Sequence, residues 1–335
     1  IAVSLGLRIV LTLQGGQNFF GDEDRYDRGV QLYLALLSGD FTKAGLLAVL
    51  PEHMLFTWCA ALLTAGQHLL AQFTPHGQWI AQPVGVTFTL WISAVLLSLF
   101  STLNLWLTHR LARVLGAGEE EAAWVLLLMA TANGAFYYAR HLLPYECALS
   151  AALLALIVGL GGSTPARAFG CGALVAITYG LYNGFWYLVP VVWLTHAVAQ
   201  RHEARAWPLR GWCASGAAVG LGFPLLFGTL VGGNYFWAVM LDFSGSVKQG
   251  VMTEGWSLPW EYFWHAEGAA GAAVAALIAL TLLRARQRRE PLPRRVALAL
   301  FTLGAAYLLL VLGSVGLRVF VVYGRTVKPF VPLIC

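Results

Sequence analysis

Apolar blocks of 15 to 29 residues, separated by short polar stretches, recur along the whole sequence, and they restrict what the chain can fold into more than any other feature. A helix needs about 20 apolar residues to cross the hydrocarbon of a bilayer. The blocks fall near 53–72, 80–108, 122–139, 147–162, 168–182, 185–199, 211–231, 267–283 and 296–315, after a first apolar run at 1–13. A water-soluble core cannot absorb them: 59% of the 335 residues are hydrophobic and 11% are charged, against roughly 25% charged in an ordinary soluble domain. The expectation is an all-α polytopic membrane protein, a single transmembrane domain over 1–335. Since 1–13 is apolar without an initial methionine and 331–335 ends inside an apolar run, the expected chain is truncated at both ends.

Orientation follows from Lys and Arg, which stay cytoplasmic in short loops. If 53–72 lies in the interface or re-enters rather than crossing, then 109–121, 163–167, 200–210 and 284–295 share one side, with 12 Lys/Arg against 5 Asp/Glu. The other side, made of 14–51 with Glu52, 140–146, 232–267 and 318–328, holds 8 Lys/Arg against 11 Asp/Glu and is outside. His53, Gln67 and His68 suit an interfacial helix. Segments 168–182 and 185–199 are short for full spans, which predicts an interrupted turn near 179–184.

Two outer loops, 14–51 and 232–267, carry the candidate chemistry. In the first, Asp22, Glu23, Asp24 and Asp27 crowd beside Arg25 and Arg28. A carboxylate at the interface can serve as general base, and a neighbouring one can hold a divalent cation or raise the first one's pKa. A solvated acidic turn capping a helix from near Arg28 is the plainer reading. Arg8 lies within an apolar run, where a charge faces the bundle interior or a cavity, or snorkels to the edge about five residues away.

At a third outer edge, Arg140, His141, Pro144, Tyr145 and Glu146 follow Tyr137 and Tyr138, which reads as an aromatic anchor belt or, with Arg325 and Lys328, as a clamp for a lipid phosphate. The second long loop interleaves Asp242, Lys248, Glu254, Glu261 and His265 with Trp237, Trp256, Trp260 and Trp264. That density of indoles fits membrane-surface helices or a sugar-binding lid. Cys59, Cys147, Cys171, Cys213 and Cys335 have no CxxC spacing and read as packing residues. Gly161–Gly162 and Gly232–Gly233 lack any P-loop context, so neither a nucleotide site nor nucleic-acid binding is expected.

The string Phe20-Gly21-Asp22-Glu23-Asp24-Arg25-Tyr26, an Asp-Glu-x-x-Tyr just after the first span, resembles the signature of GT-C glycosyltransferases. These polyprenyl-phosphate-sugar-dependent enzymes include protein O-mannosyltransferases and aminoarabinose transferases. Further likenesses follow in order: Pro51-Glu52-His53-Met54-Leu55 before an interfacial helix, Tyr138-Ala139-Arg140 with Pro144 and Glu146, Thr178-Tyr179-Gly180 between two short spans, and Arg325 with Pro329 and Pro332. Two positions depart from the family pattern: Glu52-His53 replaces a proline pair, and Tyr179 stands where many members have lysine.

The resemblance implies a GT-C-like helix bundle with interfacial helices in its outer loops. It also implies inverting transfer of a sugar from a polyprenyl-phosphate donor on the extracytoplasmic face of a bacterial inner membrane. Asp22 becomes the general base, and Glu23 its neighbour for acceptor positioning or, with Asp22, for a divalent metal, the one cofactor the carboxylates admit. Arg140, Arg325 and Lys328 become donor-phosphate residues, and Tyr26, Tyr179, Glu146, Trp256 and His265 substrate contacts. The partners implied are the lipid-linked sugar, membrane lipids and a glycan, lipid or protein acceptor. The alternatives are a non-catalytic structural or accessory subunit with membrane-complex partners, and a lipid or solute transporter.

Overall fold

A computed structural model describes residues 1–14, 23–73, 91–249, 257–289, 291–316 and 324–335. Among these the chain is helical, with no strand. The elements are α1 (Ala2–Leu13), α2 (Asp24–Leu37), α3 (Phe41–Ala48), α4 (Met54–Gln72), α5 (Trp91–Val114), α6 (Glu119–Thr131), α7 (Asn133–Phe136), α8 (Tyr145–Leu160), α9 (Pro165–Leu181), α10 (Leu188–Ala199), α11 (Ala206–Gln249), α12 (Leu258–Arg288), α13 (Arg294–Val311) and α14 (Val331–Ile334). Single 3₁₀ turns lie at Tyr137–Arg140, Asn183–Phe185 and Gly324–Phe330.

Among the described residues, four helices are long and apolar enough to cross a membrane: Ile92–Val114, Ala206–Phe243, Pro259–Arg288 and Arg294–Ser314. A fifth span is formed if Glu119–Thr131 and Asn133–Arg140, which meet at a 69° bend, count as one. This number is compatible with an integral membrane protein. The expected block at 122–139 is therefore a broken element, and 80–108 is described only from Trp91 onward.

In the two loops read as outer from the sequence, the described residues are largely helical. Segment 14–51 contains α2 and α3, and α2 starts at Asp24, one turn before the expected point near Arg28. Tyr26, Gly29 and Val30 share one buried face at helical spacing, and Leu32 and Ala35 bury a second one in a separate cluster with Ala44 and Ala61. Segment 232–267 is the continuation of α11 and the beginning of α12. Each of those helices breaks at a glycine in nearly the same conformation, Gly233 at φ 53°, ψ −130° and Gly268 at φ 54°, ψ −132°. Positive φ is open to glycine without a Cβ clash. The two breaks coincide with the two ends of the loop read from the sequence.

The expected interruption near 179–184 is present: α9 stops at Leu181 and a 3₁₀ turn at Asn183–Phe185 precedes α10. At its other end α9 begins with Pro165 in the first turn, and the Thr164 hydroxyl accepts from Arg167 N at 3.3 Å. Such a cap contributes about 1 kcal/mol.

The core centres on α8, whose buried face runs from Tyr145 to Gly159 and packs against α5 and α9. α9 in turn lies so close to α11 that a Cβ on Gly172 would meet the Cys213 carbonyl at 1.9 Å, and one on Gly216 would meet the Phe169 carbonyl at 2.0 Å. Dispersion between surfaces in such contact gives helix packing its specificity. α12 differs: Leu277, Leu280 and Leu283 stand exposed along it.

Candidate functional site

The stretch from Tyr137 to Glu146 joins the bent span to α8, and side chains from four distant parts of the sequence converge on it. Pro144 occupies the N-cap of α8, and His141 before it is extended at φ −96°, ψ 152°. This opens a gap between a 3₁₀ turn and a helix start into which partners fit.

Glu23 enters from the N-terminal end of α2. Its Oε1 accepts from Leu142 N at 2.8 Å and lies 3.4 Å from His141 Nδ1, with both side chains fully buried. Arg140 is half-buried next to it, with Nε 3.5 Å from His141 Nε2.

From the 3₁₀ turn at Gly324–Phe330 come two cations. Lys328 Nζ donates to Glu146 Oε1 and, at 3.2 Å, to the Gly134 carbonyl, and it lies 5.1 Å above the Tyr138 ring. The second Glu146 oxygen accepts from Asn104 Nδ2 at 2.8 Å, and Asn104 Oδ1 accepts from Ser150 Oγ at 2.7 Å. Arg325 donates from Nη1 to the Tyr145 hydroxyl at 2.9 Å. Tyr187 donates to the Thr326 carbonyl at 2.7 Å and steadies the turn.

α12 closes the third side. The Glu267 carboxylate accepts from Asn133 N at 2.8 Å and Gly134 N at 2.6 Å, and the Tyr262 and Tyr138 hydroxyls are 3.2 Å apart. Between Gly134, Tyr138, Tyr262, Glu267 and Lys328 remains a crevice of about 10 Å³, room for roughly one water.

On the fourth side Tyr182 packs edge-on to Tyr145, 4.7 Å between centroids, and stacks on His53 at 5.1 Å. His53 sits in the left-handed region at φ 57°, locked by exchange with Asn183: His53 N donates to Asn183 Oδ1 at 2.8 Å and Asn183 N to His53 Nδ1 at 3.2 Å. Burial, and then the charges of Arg25 and Arg28, hold His53 well below its usual pKa against the opposing Asn183 bond. Glu52 forms ion pairs with Arg25 at 3.1 Å and Arg28 at 2.7 Å. Burial alone would raise its carboxyl, but the bonds and charges of the two arginines outweigh that and keep it below the usual range.

Of the residues singled out in the sequence, Glu23, Arg140, Glu146, Arg325 and Lys328 thus meet one stretch of chain. Asp22 and Trp256 lie outside the described residues. Tyr26 is buried in the core, where its hydroxyl bonds Ser93 and its ring packs edge-on to Phe56 at 6.4 Å. Tyr179 is half-buried one turn before Tyr182, the residue that reaches Tyr145. His265 is exposed, whereas Tyr262 and Glu267 on the same helix touch Tyr138 and Gly134. No group of three or more His, Cys, Asp or Glu suited to a metal ion occurs among the described residues. Glu23 is occupied by Leu142 and His141, and Glu146 by Lys328 and Asn104.

Arg8 faces the bundle interior, the first of its two readings. It is fully buried, donates to Ser101 Oγ at 2.9 Å, and lies 5.0 Å over the Phe136 ring. Asn104, Tyr182 and Glu267 were not singled out. Asn104 carried a usable signal, a polar side chain well inside an apolar block.

No family model matches the chain, and neither a curated protein nor a solved structure matches it. The class defined by the described residues is all-α, with four helices, or five spans if the bent pair counts as one, long and apolar enough to cross a membrane.

Proposed function

We propose that this chain is a membrane glycosyltransferase of the GT-C kind, moving a sugar from a polyprenyl-phosphate donor to an acceptor with inversion. One observation carries the reading: Arg140, Arg325, Lys328 and Glu23 all meet the Tyr137–Glu146 stretch, and Glu23 directly follows Asp22 in the chain. In this reaction Asp22 takes the proton from the acceptor hydroxyl or amine as that atom attacks the anomeric carbon. The glycosidic bond to the phosphate breaks on the opposite face. Negative charge grows on the departing lipid phosphate, and preorganised cations stabilise charge that develops in the transition state more than charge already present. Arg325, half-buried and donating to the Tyr145 hydroxyl, is assigned this part, while the Lys328 ammonium pairs with Glu146. On this reading Glu23 positions the 137–146 stretch through Leu142 and His141.

A second reading, a non-catalytic subunit of a membrane complex, is favoured by the small crevice and by the Lys328–Glu146 pairing. Transfer assays in proteoliposomes across a panel of polyprenyl-phosphate sugars separate the two. Asp22→Asn is expected to abolish transfer while the protein stays folded and inserted. Full activity in that variant sinks the assignment, and no transfer by the parent chain from any donor favours the subunit.

A further inference from the structure

Where α12 ends, its last turn and the connector to α13 enclose an open cleft of about 510 Å³ lined by Leu282, Ala285, Arg286, Arg289, Pro291 and Leu292. We propose that this cleft binds the headgroup of an anionic phospholipid, with the lipid phosphate held by Arg286 and Arg289.

Four observations carry the proposal. The first is depth. The apolar run of α12 ends at Leu283, so Arg286 and Arg289 lie three and six residues beyond it, about 4.5 and 9 Å along a helix axis. The headgroup layer is roughly 5–8 Å thick on each side of the hydrocarbon. When α12 crosses, the Arg286 backbone therefore lies within that layer and the Arg289 backbone at its outer boundary, both within an arginine side chain's reach of lipid phosphates.

The second is availability. Six arginines lie between positions 284 and 295. Arg294 donates to the Ala199 carbonyl at 2.8 Å, and Arg295 to Glu121 at 2.6 Å and the Gly116 carbonyl at 3.0 Å. Arg286 and Arg289 are exposed, and their side chains make no hydrogen bond or ion pair with any described residue. A guanidinium fork matches two phosphate oxygens at once.

The third is shape. Arg289 adopts φ 54° and caps α12 in the left-handed region, an uncommon conformation for a residue with a Cβ. It ends the helix, and Pro291 and Leu292 beyond it line the same cleft as Leu282 and Ala285. The fourth is the pairing of chemistries in that wall: apolar Leu282 and Leu292 beside two cations fit a ligand with an acyl chain next to its phosphate, and a free anion would use only half of it.

Arg284 and Arg288 provide the control. They sit on the same last turns and carry the same charge but do not line the cleft. The full chain, in nanodiscs of phosphatidylcholine doped with phosphatidylglycerol, is released into the gas phase and its retained lipids counted by mass spectrometry. The parent and the Arg284→Gln/Arg288→Gln variant are expected to retain phosphatidylglycerol over phosphatidylcholine, unaffected by excess inorganic phosphate. Arg286→Gln/Arg289→Gln is expected to weaken that retention at least about tenfold, the loss of one charge-assisted hydrogen bond to the phosphate or more. Equal loss in both double variants would reduce the effect to non-specific surface charge and overturn the site. Displacement by inorganic phosphate would assign the cleft to a free anion and overturn the lipid.

Discussion

Replacing Lys328 by methionine removes the ammonium from a pair whose side chains are only 2% and 4% exposed. Two unit charges about 4 Å apart attract by roughly 4 kcal/mol at an effective dielectric of 20. The larger consequence is that Glu146 stays behind as a buried anion, with Asn104 Nδ2 at 2.8 Å as its remaining close donor. Breaking a buried pair from one side costs about 3–5 kcal/mol, whereas replacing both partners by neutral groups of similar shape is often close to neutral. Lys328→Met is therefore expected to lose about 3 kcal/mol or more. The double variant Glu146→Gln/Lys328→Met, in which the amide oxygen still accepts from Asn104, is expected to fall within about 1 kcal/mol of the parent. Reversible unfolding in mixed detergent micelles measures both, followed by tryptophan fluorescence. A single variant within about 1 kcal/mol of the parent, or a double variant no better than the single, refutes the reasoning.

Two further outcomes follow from the same structure. Gly172→Ala places a Cβ 1.9 Å from the Cys213 carbonyl and is expected to cost about 1–3 kcal/mol as α9 and α11 are forced apart, whereas Gly304→Ala on α13 meets nothing within 4 Å and is expected to stabilise by about 0.5–1 kcal/mol; paired unfolding curves check the contrast. For pH, His53 is held well below its ordinary value of 6.5 in the folded chain, so below that value the unfolded state binds a proton the folded state refuses, and stability falls with acidification by up to about 1.4 kcal/mol per pH unit. Glu52, held below its ordinary 4.5, adds a loss in the same direction only at lower pH, so a comparison of stability at about pH 7.5 and about pH 5.5 leaves Glu52 out, and the part of the difference that His53→Gln removes is the contribution of His53.

Most of the helices were legible in the apolar pattern of the chain. An apolar run of membrane-crossing length satisfies its backbone groups within itself as a helix, and the blocks at 168–182 and 185–199, short for full spans, located the break between α9 and α10, whereas the 69° bend inside 122–139 was not legible. The buried Arg8 was visible as a charge in an apolar run, although its direction was not. Of the candidate site, the sequence supplied the charged residues near the outer edge but not their partners. Lys328 meets Glu146 across 182 positions and Glu23 meets Leu142 across 119. Tyr182 rather than Tyr179 reaches Tyr145, and Glu52 turns to Arg25 and Arg28. Those choices are made by which faces α2, α8, α12 and the turn before α14 present to one another. Periodicity fixes a residue's angle on its own helix, and only packing fixes the angle between helices, so the tertiary structure alone decided which charge neutralises which.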